Sequence, residues 1–219
     1  MLKQFKTIKT EVSGAKVEPY DLGPEYSLLF SSFLGKDVRL TYLGPKPRYV
    51  TGNEPPKTTQ KGKRIETSFS DGFPYLVVTE ESYEDMVSHL DKRIDIIRMR
   101  PNIVLEGAEK AWDEDDWKSL DIGEAGNFYT VSRCGRCTLP CVDLETAERG
   151  REPLNSLQKY RRIDKGLPYS PIFGMNAISD MTGMNANDYF TWNFLISDGI
   201  VRVGDDAKVL ERGEHHYIN

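Results

Sequence analysis

Cysteine and histidine are both scarce in this 219-residue chain, which holds three of each. So few cysteines, and an odd number of them, make no disulfide framework, and a reducing compartment, most simply the cytosol, is the default expectation. No run of about 18 apolar residues occurs, so no membrane-spanning helix is predicted. The opening MLKQFKTIKT lacks the apolar stretch of a secretory signal. The formal net charge is -5, which argues against a dedicated nucleic-acid binder. G-x-S-x-G, P-loop and G-x-G-x-x-G patterns are all missing, which removes the common serine-hydrolase and nucleotide-phosphate readings. The histidines offer no catalytic set either. His89 falls on a predicted surface helix and His215 and His216 in a charged tail, where all three read as incidental. What remains is a mixed composition, 38% hydrophobic, 11% aromatic and 29% charged, which excludes disordered, collagen-like and coiled-coil chains. The length suits one domain, or one with a partial neighbour.

The hydropathy pattern is strand-rich. Tyr26, Leu29, Phe30 and Phe33 recur at helical spacing between Pro24 and Leu34, and Gly35 stands where a helix C-cap glycine belongs. Asp37–Leu43 alternates as a strand should. Gly44–Phe69 reads as a long connection carrying Lys46, Arg48, Lys57, Lys61, Lys63 and Arg64, either a solvated loop or a basic rim over an anionic ligand. Tyr75–Val78 is a short β-run, after which Thr79 can cap a helix whose stripe is Tyr83, Met86, Val87, Leu90 and Ile94. Ile96–Glu106 is read as two strand pieces meeting at Pro101, and Asn127–Cys137 as a further strand. The acidic run Asp113–Asp116 between them reads as a solvated loop or a docking surface. Pro153 marks a helix start backed by Leu154, Leu157 and Tyr160. Ser197-Asp198-Gly199 between Phe194–Ile196 and Ile200–Val203 looks like a hairpin turn, with Val209-Leu210 ending the sheet. The expected fold is mainly β with short helices, a β-barrel of mixed α+β character.

Two clusters could carry chemistry. Cys134, Cys137 and Cys141 lie within one short segment, interleaved with Arg133 and Arg136. Positive charge beside a thiol favours the thiolate, the form that ligates metals and attacks electrophiles. A zinc site would want a fourth ligand that is not nearby. A thioredoxin-type pair would want to open a helix in a βαβ unit. Buried thiols acting as small apolar residues are a third reading, and one thiolate on a soft transition metal, with arginines beside an anionic cofactor, a fourth. The second cluster is Arg100-Pro101-Asn102, a multi-donor fork and an amide expected on one side of a strand.

Taken together, Ser70-Asp71-Gly72-Phe73-Pro74-Tyr75-Leu76, Arg100-Pro101-Asn102-Ile103-Val104, Cys134-x-x-Cys137, Arg151-Glu152-Pro153-Leu154 with Tyr160-Arg161, Ser170-Pro171-Ile172-Phe173-Gly174 and Val203-Gly204-Asp205 resemble MOSC-domain proteins in order and spacing. Within that family the resemblance is to the branch of the mitochondrial amidoxime-reducing component and its fungal and bacterial relatives. It spans roughly Gly35–Leu210, with Ile178–Trp192 looking like an insertion. The resemblance implies a MOSC-type β-barrel binding molybdenum cofactor, molybdopterin with its metal. Cys137 falls on the family's metal ligand, with Cys134 a neighbour and Cys141 an ordinary thiol. Arg100 and Asn102 fall on residues that hold pterin polar groups, and Asp71 on an aspartate near the metal suited to handling a proton. Gly72 and Phe73 stand where animal relatives carry two small hydroxyl residues. Arg136, Gly174 and Asn176 complete the cofactor surroundings, Asn176 replacing a tyrosine of an animal relative.

The implied activity is oxidoreductase: reduction of small N-hydroxylated substrates such as amidoximes and hydroxylamines. Electrons would come from a separate protein of cytochrome b5 and b5 reductase type, in a cytoplasmic or mitochondria-associated setting. The alternative is a non-catalytic MOSC module that binds or carries the cofactor, or sulfur. The expected layout is a remnant of the family's N-terminal region over residues 1–34, the MOSC domain over 35–212 and a polar tail over 213–219. The family's phosphate-gripping lysine, serine and arginine would lie ahead of residue 1, with the basic loop Lys46–Arg64 a candidate substitute.

Overall fold

The computed structural model describes residues 5–46, 48–50, 66–179 and 200–215. The chain divides into two compact units, Met1–Thr51 with Arg64–Gly72, and Gly52–Lys63 with Phe73–Asn219.

In the first unit, β1 (Thr10–Val12) and β2 (Ala15–Val17) form a hairpin, closed by Ser13 and Gly14 at φ 47° and 79°. β3 (Tyr20–Asp21) leads into α1 (Pro24–Leu34), which ends as expected at Gly35 in the left-handed region. The stripe on α1 stays outside: Leu29 is 66% and Phe33 86% exposed. The strand expected over Asp37–Leu43 shrinks to β4 (Thr41–Tyr42), paired with β3. Hydrogen bonding explains the loss. Val38 donates to the Ser31 hydroxyl at 3.0 Å, and that hydroxyl donates to the Val38 carbonyl at 3.3 Å, so helix α1 takes groups a strand neighbour would need. β5 (Arg48–Tyr49) pairs with β6 (Glu66–Thr67). Arg48, expected in a solvated basic loop, is buried; its guanidinium donates to the carbonyls of Ser68 at 3.1 Å, Asp71 at 3.2 Å and Ser70. Lys46 pairs with Glu18 at 2.8 Å. Lys57, Lys61, Lys63 and Arg64 lie outside the described residues.

The second unit is built on a six-stranded sheet. Its strands are β7 (Tyr75–Thr79), β8 (Ile103–Leu105), β9 (Trp117–Ile122), β10 (Asn127–Gly135), β11 (Ile172–Ser179) and β12 (Ala207–Arg212), in the order β12-β9-β10-β11-β7-β8. All neighbours are antiparallel except β7 and β8, whose parallel pairing requires the crossover that α2 (Glu80–Ser88) begins. The sheet curls as a half-barrel, in keeping with the expected MOSC-type β-barrel, mainly β with short helices. Alternation along β7 sends Val77 into one cluster with Ile103, Leu120 and Phe128, and Leu76 and Val78 into another with Met86, Met99, Leu157 and Phe173. Thr79 caps α2 as expected, accepting from the Ser82 amide at 3.2 Å, a contact worth about 1 kcal/mol. The stripe ends early, because α2 stops at Ser88, short of Leu90 and Ile94. α3 (Leu154–Tyr160) starts one residue after the expected Pro153. Residues 200–203 form no strand, so that half of the expected hairpin is absent, and its other half and turn lie outside the described residues. The same holds for the expected insertion beyond Ser179, the last residue of β11.

Two segments depart further from expectation. The acidic run Asp113–Asp116 is a 3-10 turn whose first three carboxylates are buried, not a solvated loop or docking surface. Arg212 forks onto Asp113 at 2.8 and 2.9 Å, Arg161 holds both oxygens of Asp115 at 2.8 and 2.9 Å, and Glu114 accepts from Thr79 and Ser82 at 2.9 and 2.7 Å. Burial pushes the Glu114 carboxyl up, while the Arg212 guanidinium holds Asp113 below its usual range. His215, read as incidental in a tail, is 4% exposed; its Nε2 donates to the Trp117 carbonyl at 2.6 Å, with Lys118 Nζ 3.5 Å from Nδ1.

Both β11 and this tail yield measurable expectations. Gly174 has φ +77°, and an added Cβ would lie 2.6 Å from Val78 Cγ1 and 2.8 Å from the Val77 carbonyl. Gly174→Ala is therefore expected to cost about 1–3 kcal/mol, read as a lower urea midpoint; an unchanged midpoint would mean β7 and β11 part freely. For His215, burial lowers the imidazole pKa from its ordinary value, and Lys118 and Arg133 push the same way. A depressed folded-state pKa gives stability that is present above the unfolded value of about 6.5 and lost as pH falls below it. The stability difference between wild type and His215→Gln should thus shrink between about pH 8 and about pH 5. A difference independent of pH would show that the imidazole does not titrate against folding.

Candidate functional site

Strand β10 delivers the cysteine segment. It carries two register irregularities, between Thr130 and Ser132 and between Arg133 and Gly135, which re-aim successive side chains just before the thiols. The chain then turns away from β11, and the Arg136 amide keeps one last bond to the Pro171 carbonyl at 2.9 Å. Cys137 follows on the loop, exposed, its sulfur accepting from the Leu139 amide at 3.5 Å. A 3-10 turn over Leu139–Cys141 closes the loop and buries Cys141, whose thiol donates to the Arg151 carbonyl at 3.4 Å. Cys134 is half-buried at the end of β10 and accepts from Arg136 Nη1 at 3.1 Å.

The three thiols therefore occupy three environments. Among the described residues no group of three His, Cys, Asp or Glu side chains converges to hold a metal ion, so the thiols do not form a zinc cage. Cys134 sits on a strand, not at the start of a helix, which removes the thioredoxin-type arrangement. Cys141 is the small buried residue of the apolar reading. Of the three thiols, Cys137 is the exposed one. The two arginines also separate. Arg133 turns to Asp164 at 3.7 Å and to the His215 carbonyl at 3.1 Å, leaving Arg136 as the cation beside a thiol.

The Arg100-Pro101-Asn102 cluster lies on a corner rather than a strand. Asp95 accepts from the Ile97 amide at 2.9 Å and starts a 3-10 turn over Ile96–Met99, in place of the first expected strand piece. Arg100 then takes φ 56°, a left-handed conformation uncommon for a side chain of this size, and is exposed. Asn102 turns the chain into β8. Its amide donates to the Leu76 carbonyl at 2.9 Å and its Oδ1 accepts from the Leu76 amide at 2.8 Å, so the side chain completes the ladder beside β7. Leu76 is also the register partner of Asn176, whose Nδ2 donates to Ser132 Oγ at 3.1 Å. Arg136 closes the circuit: its Nη2 donates to the Met99 carbonyl at 2.6 Å, while its buried Nε has no partner among the described residues. Cys137 and Arg100, far apart in sequence, are thus each next in the chain to one end of a single hydrogen bond.

The second unit holds Cys134 at the end of β10, Arg136 and Cys137 on the loop after it, Arg100 and Asn102 on the corner leading into β8, and Gly174 and Asn176 within β11. Phe73 begins that unit's main segment, whereas Asp71 and Gly72 close the first. Asp71 is exposed, 3.4 Å from the Ser13 hydroxyl, on a turn whose carbonyls Arg48 holds. Sequence reasoning passed over Arg98, which reaches from the 96–99 turn to the Pro140 carbonyl at 2.8 Å. Its spacing two residues before Arg100, within one turn, was the available signal.

Comparison with known proteins gives this geometry a family. The MOSC domain model matches residues 64–208. Mitochondrial amidoxime-reducing component 1 of Homo sapiens is 31% identical over 213 residues, 92% of this chain and 56% of that protein. The Danio rerio protein of the same name is 35% identical over 184 residues, 81% of this chain and 54% of its own length. Mitochondrial amidoxime reducing component 2 of Bos taurus is 30% identical over 181 residues, 80% of this chain and 53% of that protein. The chain spans about half the length of the curated relatives it matches, and none of its described helices is long and apolar enough to cross a membrane. With a family model covering most of its length and a sheet of the matching kind, the chain belongs to the MOSC domain family.

Proposed function

We propose that this protein is a molybdenum-cofactor oxidoreductase that reduces small N-hydroxylated compounds, with Cys137 as the protein ligand to the metal. The observation that carries the reading is the exposed Cys137 thiol, the next residue after Arg136, whose guanidinium joins this loop to the Arg100 corner. The residues present fit the group. A soft metal already held by dithiolene sulfurs needs one accessible protein thiolate, and a polar, anionic pterin needs directed donors. The names of the relatives support the substrate class.

In this reading Cys137 holds the metal through its sulfur, and the Leu139 amide, already donating to that sulfur, offsets the thiolate charge. Arg100 presents a planar fork to the pterin. Asn102 fixes that corner against β7 through Leu76 and offers its amide beside it. Arg136 donates to the sulfur of the half-buried Cys134 and aligns the loop. Phe73 supplies another part of the surroundings, while Asp71 and Gly72, which close the first unit, keep only the proton-handling and backbone roles that the resemblance implies. Gly174 and Asn176 contribute from β11. When bound, the cofactor supplies two-electron chemistry that removes an N-bound oxygen as water. Electrons come from a separate donor, a cytochrome b5-type protein with its reductase. The donor does not dock on Asp113–Asp115, whose carboxylates are buried and bonded.

The test is expression in a cofactor-competent host, followed by metal and pterin content and by amidoxime reduction with a reduced b5-type donor. Bound cofactor with turnover supports the reading. Bound cofactor without turnover would indicate a carrier module, and a chain without cofactor would overturn both. Arg100→Lys, which keeps the charge but loses the fork, is expected to lower pterin retention while leaving stability within about 0.5 kcal/mol of wild type. Unchanged retention would remove Arg100 from the site.

A further inference from the structure

Arg98 is the residue of this region that the proposed site does not use, and its surroundings are unusual for a surface-turn arginine. Its side chain is only 12% exposed. The guanidinium reaches across 42 residues of sequence: Nε donates to the Pro140 carbonyl at 2.8 Å and Nη2 to the Glu152 carbonyl at 3.3 Å, with Asp143 Oδ2 4.0 Å from Nη1. Both carbonyls belong to the chain that follows Cys137. Arg136, on the other side of Cys137, reaches the opposite way, to the Met99 carbonyl at 2.6 Å. Each guanidinium thus leaves its own segment and binds a backbone carbonyl of the other. The loop carrying Cys137 is fastened at Arg136 and again at Pro140, both times to the single 3-10 turn that ends at Arg100.

We infer that Arg98 and Arg136 form a reciprocal clasp that fixes the Cys137 loop onto the Arg100 corner, which makes Arg98 a positioning residue for the ligand thiol. The inference rests on the proposed function for the identity of the ligand, but the clasp itself is a property of the chain. Three residues lie between the two fastened points, Cys137 among them. Such a span has little freedom once both ends are held. Released at Pro140, it becomes an open excursion from β10, and the sulfur samples positions away from Arg100. Arginine is required because a flat fork can serve two carbonyls at fixed angles, whereas a lysine ammonium offers a single mobile point. The buried position of Cys141, next to Pro140, is a built-in reporter: it stays covered while the 3-10 turn is held down.

The experiment uses the whole chain with and without cofactor. Native-state alkylation of each cysteine, followed by mass-mapped peptides, measures local opening, and urea unfolding measures global stability. In wild type, Cys137 should react quickly and Cys141 slowly. In Arg98→Ala, the loss of charge-assisted hydrogen bonds is expected to accelerate Cys141 labelling by at least about tenfold, beyond any change in global unfolding. Arg98→Lys should fall between the two. His215→Gln, which weakens the packing against Trp117 on β9 outside the proposed site, should not accelerate Cys141 beyond its effect on global unfolding. In protein made with full cofactor supply, molybdenum per folded chain should fall at least about tenfold in Arg98→Ala, on the scale of losing a group that orients a metal ligand. Unchanged Cys141 labelling would overturn the clasp. Accelerated labelling with unchanged molybdenum would overturn the positioning role while leaving the cofactor reading intact. A wild type without molybdenum would instead overturn the cofactor reading, and the positioning role with it, while the labelling arm would still decide whether the clasp exists.

Discussion

Arg161→Ala should cost about 3–5 kcal/mol of stability, a large part of the 5–15 kcal/mol typical of a domain. Arg161 is 5% exposed, and Asp115, whose two oxygens it holds, is 7% exposed. Its Nε also donates to the Ile172 carbonyl at 3.2 Å, and its guanidinium carbon sits 3.8 Å from the centre of the Trp112 ring. The arginine therefore joins the end of α3, the start of β11 and the acidic turn. Burial raises the Asp115 carboxyl pKa further than the Arg161 charge lowers it, so the carboxylate depends on its partner to remain ionised in place. Removing the guanidinium leaves that carboxyl buried without its partner, either as an unpaired charge or forced to take up a proton, and both are costly. Chemical unfolding should show a lower midpoint at an unchanged slope. Asp115→Ala added to Arg161→Ala should cost much less than the sum of the two, because the pair fails as a unit. A loss under about 1 kcal/mol would mean the pair behaves as a surface ion pair.

If the proposed function holds, Cys137→Ser should abolish N-reduction with almost no effect on the fold. Cys137 is exposed, and its sulfur accepts a 3.5 Å bond from the Leu139 amide, which a hydroxyl oxygen can also accept. A serine oxygen is a harder and far less acidic donor than a thiolate and a poor ligand for a soft metal. Turnover should fall by more than the roughly 10–100-fold that follows loss of a group orienting a ligand. Cys141→Ser, at the buried thiol bonded to Arg151, should instead disturb stability and spare turnover. Equal losses of activity in the two variants would place the chemistry elsewhere.

The helix Pro24–Leu34 and its Gly35 stop, the Thr79 cap and the strand at Tyr75 were legible in the sequence because each rests on local chemistry: a capping hydroxyl, a left-handed glycine, a short apolar run. The β10 run before the cysteines was legible for the same reason. The 96–102 corner was misread as strand because its apolar run suits either structure, and the deciding bonds come from Asp95 and from Leu76 on another strand. The acidic run was misread because four carboxylates in sequence look solvated; their partners Arg161 and Arg212 lie 46 and 99 residues further on. His215 was misread for the same reason, being buried against Trp117, 98 residues back. The site shows a similar division. The cysteine segment and the Arg100 cluster announced themselves by residue type and by resemblance, whereas Arg98 acts only through backbone carbonyls that no motif records.

The central claim is that the exposed thiol of Cys137 ties a molybdenum cofactor to this chain. Metal and pterin content of protein purified from a cofactor-competent host tests it most directly, with wild type, Cys137→Ser and Cys141→Ser prepared side by side. The account predicts stoichiometric molybdenum and pterin in wild type and in Cys141→Ser, and little of the metal in Cys137→Ser. Equal molybdenum in wild type and Cys137→Ser, or none in wild type under full cofactor supply, would contradict it.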